Sequence, residues 1–260
     1  MEMAGHRRAW FACPQPRRGA KVRLYCFPYA GQGASVFRGW SSLLPSTIEL
    51  WVARLPGREQ RISEQPYANL DSLVSAACEE LGADLEVPFA FFGHSMGALV
   101  AFELARRLRR YRWQLPSCLV VSAHRAPHLK DLRPPLADLP DGEFIGAMRG
   151  LNGTPPELFE HPELVDLMLP LLRADFKAVE SYVHLSEQPL PCPIAAYVAT
   201  DDSEVPSEQV APWRVHTTGH YRMRVFPGNH FYLRDEMELL VPVLAQDVLD
   251  CVDGLATASG

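Results

Sequence analysis

The sequence lacks a long apolar run, an apolar leader segment and an excess of basic residues. No stretch approaches the roughly 18 consecutive apolar residues that a membrane-spanning helix needs. Residues 1–19 contain basic side chains but no apolar segment, which argues against a secretory signal peptide. The net charge of -6, from 25 Lys and Arg against 31 Asp and Glu, disfavours nucleic acid as a partner. We therefore expect neither a membrane protein nor a nucleic-acid-binding protein.

The cysteines form no paired motif. The six of them, at positions 13, 26, 78, 118, 192 and 251, are scattered, and several lie inside apolar runs. Buried free thiols in a reducing cytosol account for this pattern better than a disulfide framework does. The sequence also has no His-Glu-x-x-His motif and no cluster of Cys and His ligands. We therefore predict a cytoplasmic protein with no metal and no other cofactor.

Short apolar runs alternate with amphipathic helical patterns along most of the chain. Because these runs are apolar throughout, they are typical of strands that are buried on both faces of a parallel sheet. Helical spacing of apolar residues is evident at 70–81 and at 98–108. The alternation predicts an α/β fold with a doubly wound, mostly parallel sheet and a single domain over residues 1–260. The predicted strands are Arg23–Phe27, Leu50–Leu55, Phe89–Phe92, Cys118–Ala123, Ile194–Ala199 and Arg222–Phe226.

The alternation stops at about residues 127–191, where no strand pattern occurs and two helical patches lie at Asp141–Leu151 and Glu163–Leu185. Such an insertion is either a lid over a site or a small subdomain. Its apolar residues exceed what one thin helical layer needs, so we predict a lid. We expect Phe144, Met148 and Leu172 to contact the substrate. Residues 1–18 and 254–260 are predicted to be loose termini. The apolar set is Phe144, Ile145, Met148, Leu151, Leu158, Phe159, Leu167, Met168, Leu172 and Phe176.

One motif predicts a nucleophile. Gly93-His94-Ser95-Met96-Gly97 lies between the apolar run Phe89–Phe92 and an alanine-rich amphipathic helix. In that context, Gly-x-Ser-x-Gly forms a strand–turn–helix elbow that exposes the serine hydroxyl in α/β-hydrolases. A plain tight turn with a solvent-facing serine is the alternative. We predict that the chain has the α/β-hydrolase fold and that Ser95 is its nucleophile.

A serine hydroxyl needs a base to take its proton. Of the nine histidines, His230 alone follows the last predicted strand. The carboxyl ends of the strands face the ligand crevice in a doubly wound sheet, so this loop is expected to carry the base. His94 adjoins Ser95, but from the second position of the elbow its ring should point away from the serine hydroxyl. We therefore predict His230 as the base.

The base in turn needs a carboxylate that orients its ring. Asp201 and Asp202 follow the strand Ile194–Ala199, with Glu204 behind them. Either aspartate gives the chain order Ser–Asp–His that α/β-hydrolases have. Spacing alone does not choose between the two.

An oxyanion needs two preorganised N–H donors. The backbone N–H of Met96, directly after the nucleophile, is expected to be one of them. The loop after the first long strand is rich in small residues and allows a close backbone approach. We expect the second donor there, from Ala30 or Tyr29.

Five segments of the sequence form one further pattern: Phe27–Gly31, Leu55–Arg58, Gly93–Gly97, Leu169–Asp175 and Gly228–Phe231. Together they resemble the type II thioesterases of polyketide and non-ribosomal peptide synthases, and the resemblance extends over residues 22–240. The resemblance implies an α/β-hydrolase with a helical lid that hydrolyses acyl thioesters on the phosphopantetheine arm of acyl or peptidyl carrier proteins. It implies that Ser95 and His230 are catalytic, favours Asp202 over Asp201, and assigns the oxyanion donors to Met96 and Ala30. We expect a monomer.

Two groups of basic residues are candidate docking sites for an acidic carrier protein. The arginines at 106, 107, 109, 110 and 112 lie at the far end of the helix that follows Ser95, on the order of 20 Å away at ~1.5 Å rise per residue. They are interpreted as a solvated cationic face. Loop residues nearer the predicted entrance are preferred as docking candidates. These are Arg58, Arg61, Lys130 and Arg133.

Three other functions are possible for a protein with this predicted fold. A carboxylesterase or lipase would cleave oxygen esters with the same triad, and an acyltransferase would pass the acyl group to an alcohol or amine. A protein that keeps the fold but only binds carriers would not need an intact Ser–Asp–His set. The first two alternatives remain open at the level of the sequence.

Overall fold

The computed structural model describes residues 10–82, 87–151 and 160–258, with side chains described as far as residue 254. A seven-stranded sheet runs through it in the order β1-β3-β2-β4-β5-β6-β7. Strand β1 pairs antiparallel with β3, and all the other neighbours pair in parallel. The strands are β1 (Phe11–Ala12), β2 (Val22–Phe27), β3 (Ile48–Ala53), β4 (Phe89–His94), β5 (Cys118–Ser122), β6 (Ile194–Ala199) and β7 (Tyr221–Phe226).

Helices cover both faces of the sheet. In β4, Phe89 and Phe91 pack with helices α2 and α3, whereas Ala90 and Phe92 pack on the opposite face with α1 and α8. Both faces are buried, so no polar alternation is needed along the strand. The predicted doubly wound, mostly parallel sheet is confirmed. The helices are α1 (Trp40–Leu43), α2 (Leu70–Leu81), α3 (Met96–Tyr111), α4 (Asp141–Leu151), α5 (Pro162–Glu180), α6 (Ser207–Val210), α7 (Tyr232–Asp235) and α8 (Met237–Ala258), with 3₁₀ turns at Ala34–Phe37, Glu59–Arg61 and Ala211–His216.

The predicted loose termini are wrong where the structure describes them. Trp10 and Phe11 are buried, and the Phe11 ring meets the Tyr25 ring edge-on at 5.2 Å between centroids. A two-residue edge strand is too short to leave a periodic pattern, so the sequence did not reveal β1. At the other end, α8 continues to Ala258. The remaining six strands lie where they were predicted, with ends that differ by up to two residues.

The insertion at 127–191 contains α4 and α5 and, among its described residues, no strand of the sheet. Phe144, Met148 and Leu172 form a small apolar cluster with Phe176, separate from the two cores that flank the sheet. The predicted apolar residues Leu158 and Phe159 lie outside the described residues. None of the described helices is long and apolar enough to cross a membrane.

Candidate active site

Ser95 occupies a strained position between β4 and α3. Its backbone has φ 53° and ψ -118°, which L-residues rarely adopt, and its N–H donates to Ser122 O at 2.8 Å. The flanking glycines are required by close packing: a Cβ at Gly93 would overlap the backbone of Gly97, and one at Gly97 would overlap the backbone of Phe27. The strand and the helix therefore cross at a sharp turn with the serine at its apex, as an elbow requires.

His230 follows β7 and contacts one of the two candidate aspartates. Its Nδ1–H donates to Asp202 Oδ2 at 2.8 Å. The other oxygen, Oδ1, accepts the backbone N–H groups of Glu204 and Val205, both at 2.9 Å. Asp201 is exposed instead, and its carboxylate accepts the hydroxyl of Thr200 at 3.0 Å. The structure thus brings Asp202, and not Asp201, to His230, and a proton on Nδ1 leaves Nε2 as the acceptor.

His94 is fully buried and holds the backbone of His230 in place. Its Nε2–H donates to His230 O at 2.8 Å, and because a carbonyl can only accept, His94 Nδ1 is the acceptor of the Ser122 hydroxyl at 2.9 Å. Tyr232 in turn donates its hydroxyl to Ser122 Oγ at 2.5 Å. Burial, with His230 nearby, holds the pKa of His94 well below its usual range, so the ring stays neutral. The expectation that His94 points away from Ser95 agrees with these contacts.

Ser95 and His230 line the same cavity, which has a volume of about 560 Å³. The two expected oxyanion donors, Met96 and Ala30, line it as well. Met96 is the first residue of α3, where backbone N–H groups lack partners within the helix. A nucleophile, a base and two sources of N–H donors therefore surround one space, which is the arrangement that acyl transfer needs.

The helical insertion forms another wall of this cavity. Met148 of α4 and Leu172 of α5 line it, but Phe144 does not. The Phe144 ring is fully buried, edge-on to Phe176 at 5.7 Å between centroids and under the Arg173 guanidinium. The structure therefore places two of the three predicted substrate contacts on the cavity wall and the third within the packing of the two helices.

The chain is similar to known proteins over most of its length. A family model described as "Thioesterase domain" matches residues 22–246. The chain belongs to the thioesterase family. Its relatives include the gramicidin S biosynthesis protein GrsT of Aneurinibacillus migulanus, 38% identical over 92% of this chain and 93% of that protein. Another is the thioesterase PikA5 of Streptomyces venezuelae, 39% identical over 87% and 81%.

Solved structures of similar proteins agree with that assignment. The type II thioesterase BorB from the borrelidin biosynthetic cluster superimposes with a TM-score of 0.83 and 33% identity, over 92% of this chain and 98% of BorB. The RedJ thioesterase from the prodiginine pathway in Streptomyces coelicolor gives 0.82 and 38%, over 90% and 93%. The predicted α/β-hydrolase fold and the resemblance to type II thioesterases are confirmed.

The acyl cavity of this thioesterase also has a charged wall that was not predicted from the sequence. Arg125 pairs with Asp131 at 2.9 Å, and Arg133 pairs with both Asp131 and Glu204; all four side chains line the cavity. They come from two loops that are far apart in the chain, so no local motif could have revealed them. Because each charge has a partner, the wall carries little net charge.

His124 is a second unpredicted residue of that wall. Its Nδ1–H donates to Arg125 O at 2.6 Å, and its Nε2 is buried with no hydrogen-bond partner. Burial and the neighbouring Arg125 lower the pKa of His124 to about 3. The ring is therefore neutral at pH 7, with Nε2 as an acceptor.

The structure corrects the docking interpretation for Arg58 and Arg61 of this thioesterase. Lys130 and Arg133 are exposed, and their role in docking stays a prediction. Arg58, a preferred docking candidate, is buried and paired with Asp175. Arg61 is largely covered and pairs with Glu64.

Within the predicted solvated face at 106–112, Arg106 is buried, whereas Arg110 and Arg112 are exposed. Glu187 pairs with the arginines at 106, 109 and 110, and Asp71 pairs with Arg107. Apart from Glu64, which lies three residues from Arg61, these pairing partners are distant in the chain.

Proposed function

We propose that this thioesterase releases acyl groups from the phosphopantetheine thiol of acyl or peptidyl carrier proteins, with Ser95, His230 and Asp202 as its catalytic triad. The observation that carries the proposal is that Ser95 and His230 line the same cavity, with the His230 ring hydrogen-bonded to Asp202. Relatives named for gramicidin S and borrelidin biosynthesis support a role in editing such synthases. We also propose that the protein is a monomer and acts in the cytoplasm.

The chemistry follows from the positions of these groups. Ser95 Oγ attacks the thioester carbonyl carbon while His230 Nε2 takes the hydroxyl proton. The carbonyl oxygen becomes negative and accepts the N–H groups of Met96 and Ala30. When the C–S bond breaks, the pantetheine thiolate leaves and receives the proton from His230. Water, deprotonated by the same ring, then attacks the acyl carbon. The bond from that carbon to Ser95 Oγ breaks, His230 returns the proton to Oγ, and the carboxylic acid leaves. Asp202 stabilises the imidazolium in both halves.

A comparison of leaving groups tests this proposal against a carboxylesterase or lipase. We expect kcat/KM on an acyl group loaded on a carrier protein to exceed kcat/KM on the p-nitrophenyl ester of the same acid. The physical reason is that carrier and pantetheine contacts contribute binding that a small ester lacks. Steady-state hydrolysis of both substrates provides the measurement. A strong preference for the oxygen ester would favour the esterase alternative, and transfer to an added alcohol or amine in place of free acid would favour an acyltransferase.

We propose that residues 127–191 act as a lid that shapes the acyl cavity. Met148→Ala is expected to shift the preferred acyl chain towards longer groups, because Met148 lines the cavity. Phe144→Ala is the matched control: it removes a buried ring outside the cavity wall and should lower the free energy of unfolding by about 3–5 kcal/mol with the chain-length profile retained. A hydrolysis panel on one carrier protein and denaturant unfolding measure the two effects. An unchanged profile in Met148→Ala would count against the lid.

A further inference from the structure

Asp175 of the insertion binds the loop that carries the second oxyanion donor. We call residues 29–35 the oxyanion loop. Asp175 Oδ2 accepts the backbone N–H of Gly31 at 2.7 Å and Arg58 Nη1–H at 2.9 Å, and its Oδ1 accepts Arg58 Nη2–H at 2.9 Å. Arg58 also donates to Gln32 O at 3.1 Å. One carboxylate and one guanidinium thus join helix α5 to the oxyanion loop and to the segment that follows β3.

The position of these bonds matters because Gly31 directly follows Ala30. A hydrogen bond to Gly31 N–H orients the peptide plane between the two residues, and only φ and ψ of Ala30 then separate that plane from the Ala30 N–H. Gly31 has φ 79°, where a side chain is strained, and a Cβ there would overlap Leu172 of α5. The loop is therefore seated directly against α5, the helix that also lines the cavity through Leu172.

Stability alone is a weak reason for such a pair. Asp175 is 1% exposed and Arg58 is 5% exposed, so both charges are removed from water. Replacing a buried ion pair with apolar side chains of similar volume is often neutral or stabilising. The pair also fixes the backbone of the oxyanion loop. Arg58 holds the Asp175 carboxylate by two hydrogen bonds, and Asp175 Oδ2 accepts the N–H of Gly31, the residue after Ala30.

We propose that Asp175 and Arg58 are positioning residues that place the Ala30 N–H in the oxyanion hole and make its placement depend on the seating of helix α5. The inference rests on the proposed catalytic use of Ser95 and Ala30. Neither side chain touches the substrate. Asp175 acts through the Gly31 N–H, and Arg58 acts through Asp175 and Gln32 O. Loss of either side chain therefore weakens binding of the transition state more than binding of the substrate.

The first test is Asp175→Asn, which keeps the size of the side chain and removes its charge. We expect kcat to fall about 10- to 100-fold with KM within about threefold, a smaller loss than the 10²- to 10³-fold that follows removal of an oxyanion donor. Affinity for a boronic acid that forms a tetrahedral adduct on Ser95 should fall by a similar factor. The control is Asp247→Asn, which removes another buried carboxylate, paired with Arg222 and Arg224. It should change Tm but not kcat.

A second variant separates the positioning effect from a loss of folding. The double replacement Arg58→Met with Asp175→Leu removes both charges together, so no buried charge is left without a partner. It should keep a cooperative thermal transition and still show the fall in kcat and in boronate affinity. If Asp175→Asn or the double variant keeps kcat within twofold of the wild type, or if Asp247→Asn loses as much, the inference is overturned.

All measurements are made on a carrier thioester and on a p-nitrophenyl ester. An oxyanion forms on both substrates, so the positioning effect is expected on both. If carrier thioesters are not hydrolysed by the wild type, the proposed substrate is wrong. In that case the oxygen ester alone tests the positioning role. A fall in kcat of Asp175→Asn on this ester supports the role, and an unchanged kcat refutes it.

Discussion

Replacement of Ser95 by alanine is expected to lower kcat on carrier-bound thioesters by about 10⁴-fold or more, because no other serine, threonine or cysteine is among the described residues that line the cavity. A fluorophosphonate probe measures the same nucleophile directly. We expect stoichiometric labelling of the wild type, none in Ser95→Ala and strongly reduced labelling in His230→Ala, since His230 takes the serine proton.

Ser203 offers a control for this experiment. It is an exposed serine next to Asp202, so Ser203→Ala should retain both the labelling and the hydrolytic rate of the wild type. A wild type that does not react with the probe would refute the mechanism and leave the carrier-binding alternative. Labelling that persists in Ser95→Ala would assign the nucleophile to another residue.

The second large effect is expected for Asp202→Asn, with a fall in kcat of about 10⁴-fold at little cost to the fold. The carboxylate accepts His230 Nδ1–H at 2.8 Å and so leaves Nε2 free to take the serine proton. An amide can instead donate to Nδ1, which moves the ring proton to Nε2 and blocks that step. Steady-state kcat on a carrier thioester is the measurement.

Asp201→Asn is the matched control for Asp202→Asn, one residue away and with the same change of atoms. Its carboxylate is exposed and accepts the Thr200 hydroxyl, so we expect kcat within about twofold of the wild type. If Asp201→Asn were the more damaging of the two, the assignment of the carboxylate would have to be reversed.

The sequence revealed the features that local chemistry dictates. The Gly93–Gly97 elbow was recognisable because both glycines are required where strand and helix cross, and the strands because apolar residues on both faces leave continuous runs. His230 was chosen as the base because it follows the last strand, and the carboxyl ends of the strands face the ligand crevice.

Contacts between distant segments were decided by the tertiary structure alone. The choice of Asp202 depended on which carboxylate the loop after β6 turns inwards, where it also accepts two backbone N–H groups. Arg58 and Asp175 are 117 residues apart in the chain, and nothing local distinguishes a buried guanidinium from an exposed one. Phe144 lies on the same short helix as Met148, but only packing against Phe176 shows which of the two borders the cavity.

The sequence by itself therefore determined the α/β class, the nucleophile motif and the chain order of the triad candidates, because backbone sterics and burial act over a few neighbouring residues. The tertiary structure decided which aspartate meets His230, which arginine is buried and which insertion residues line the cavity. These depend on the direction of a side chain and on a partner far along the chain, and no short pattern of residue types encodes either.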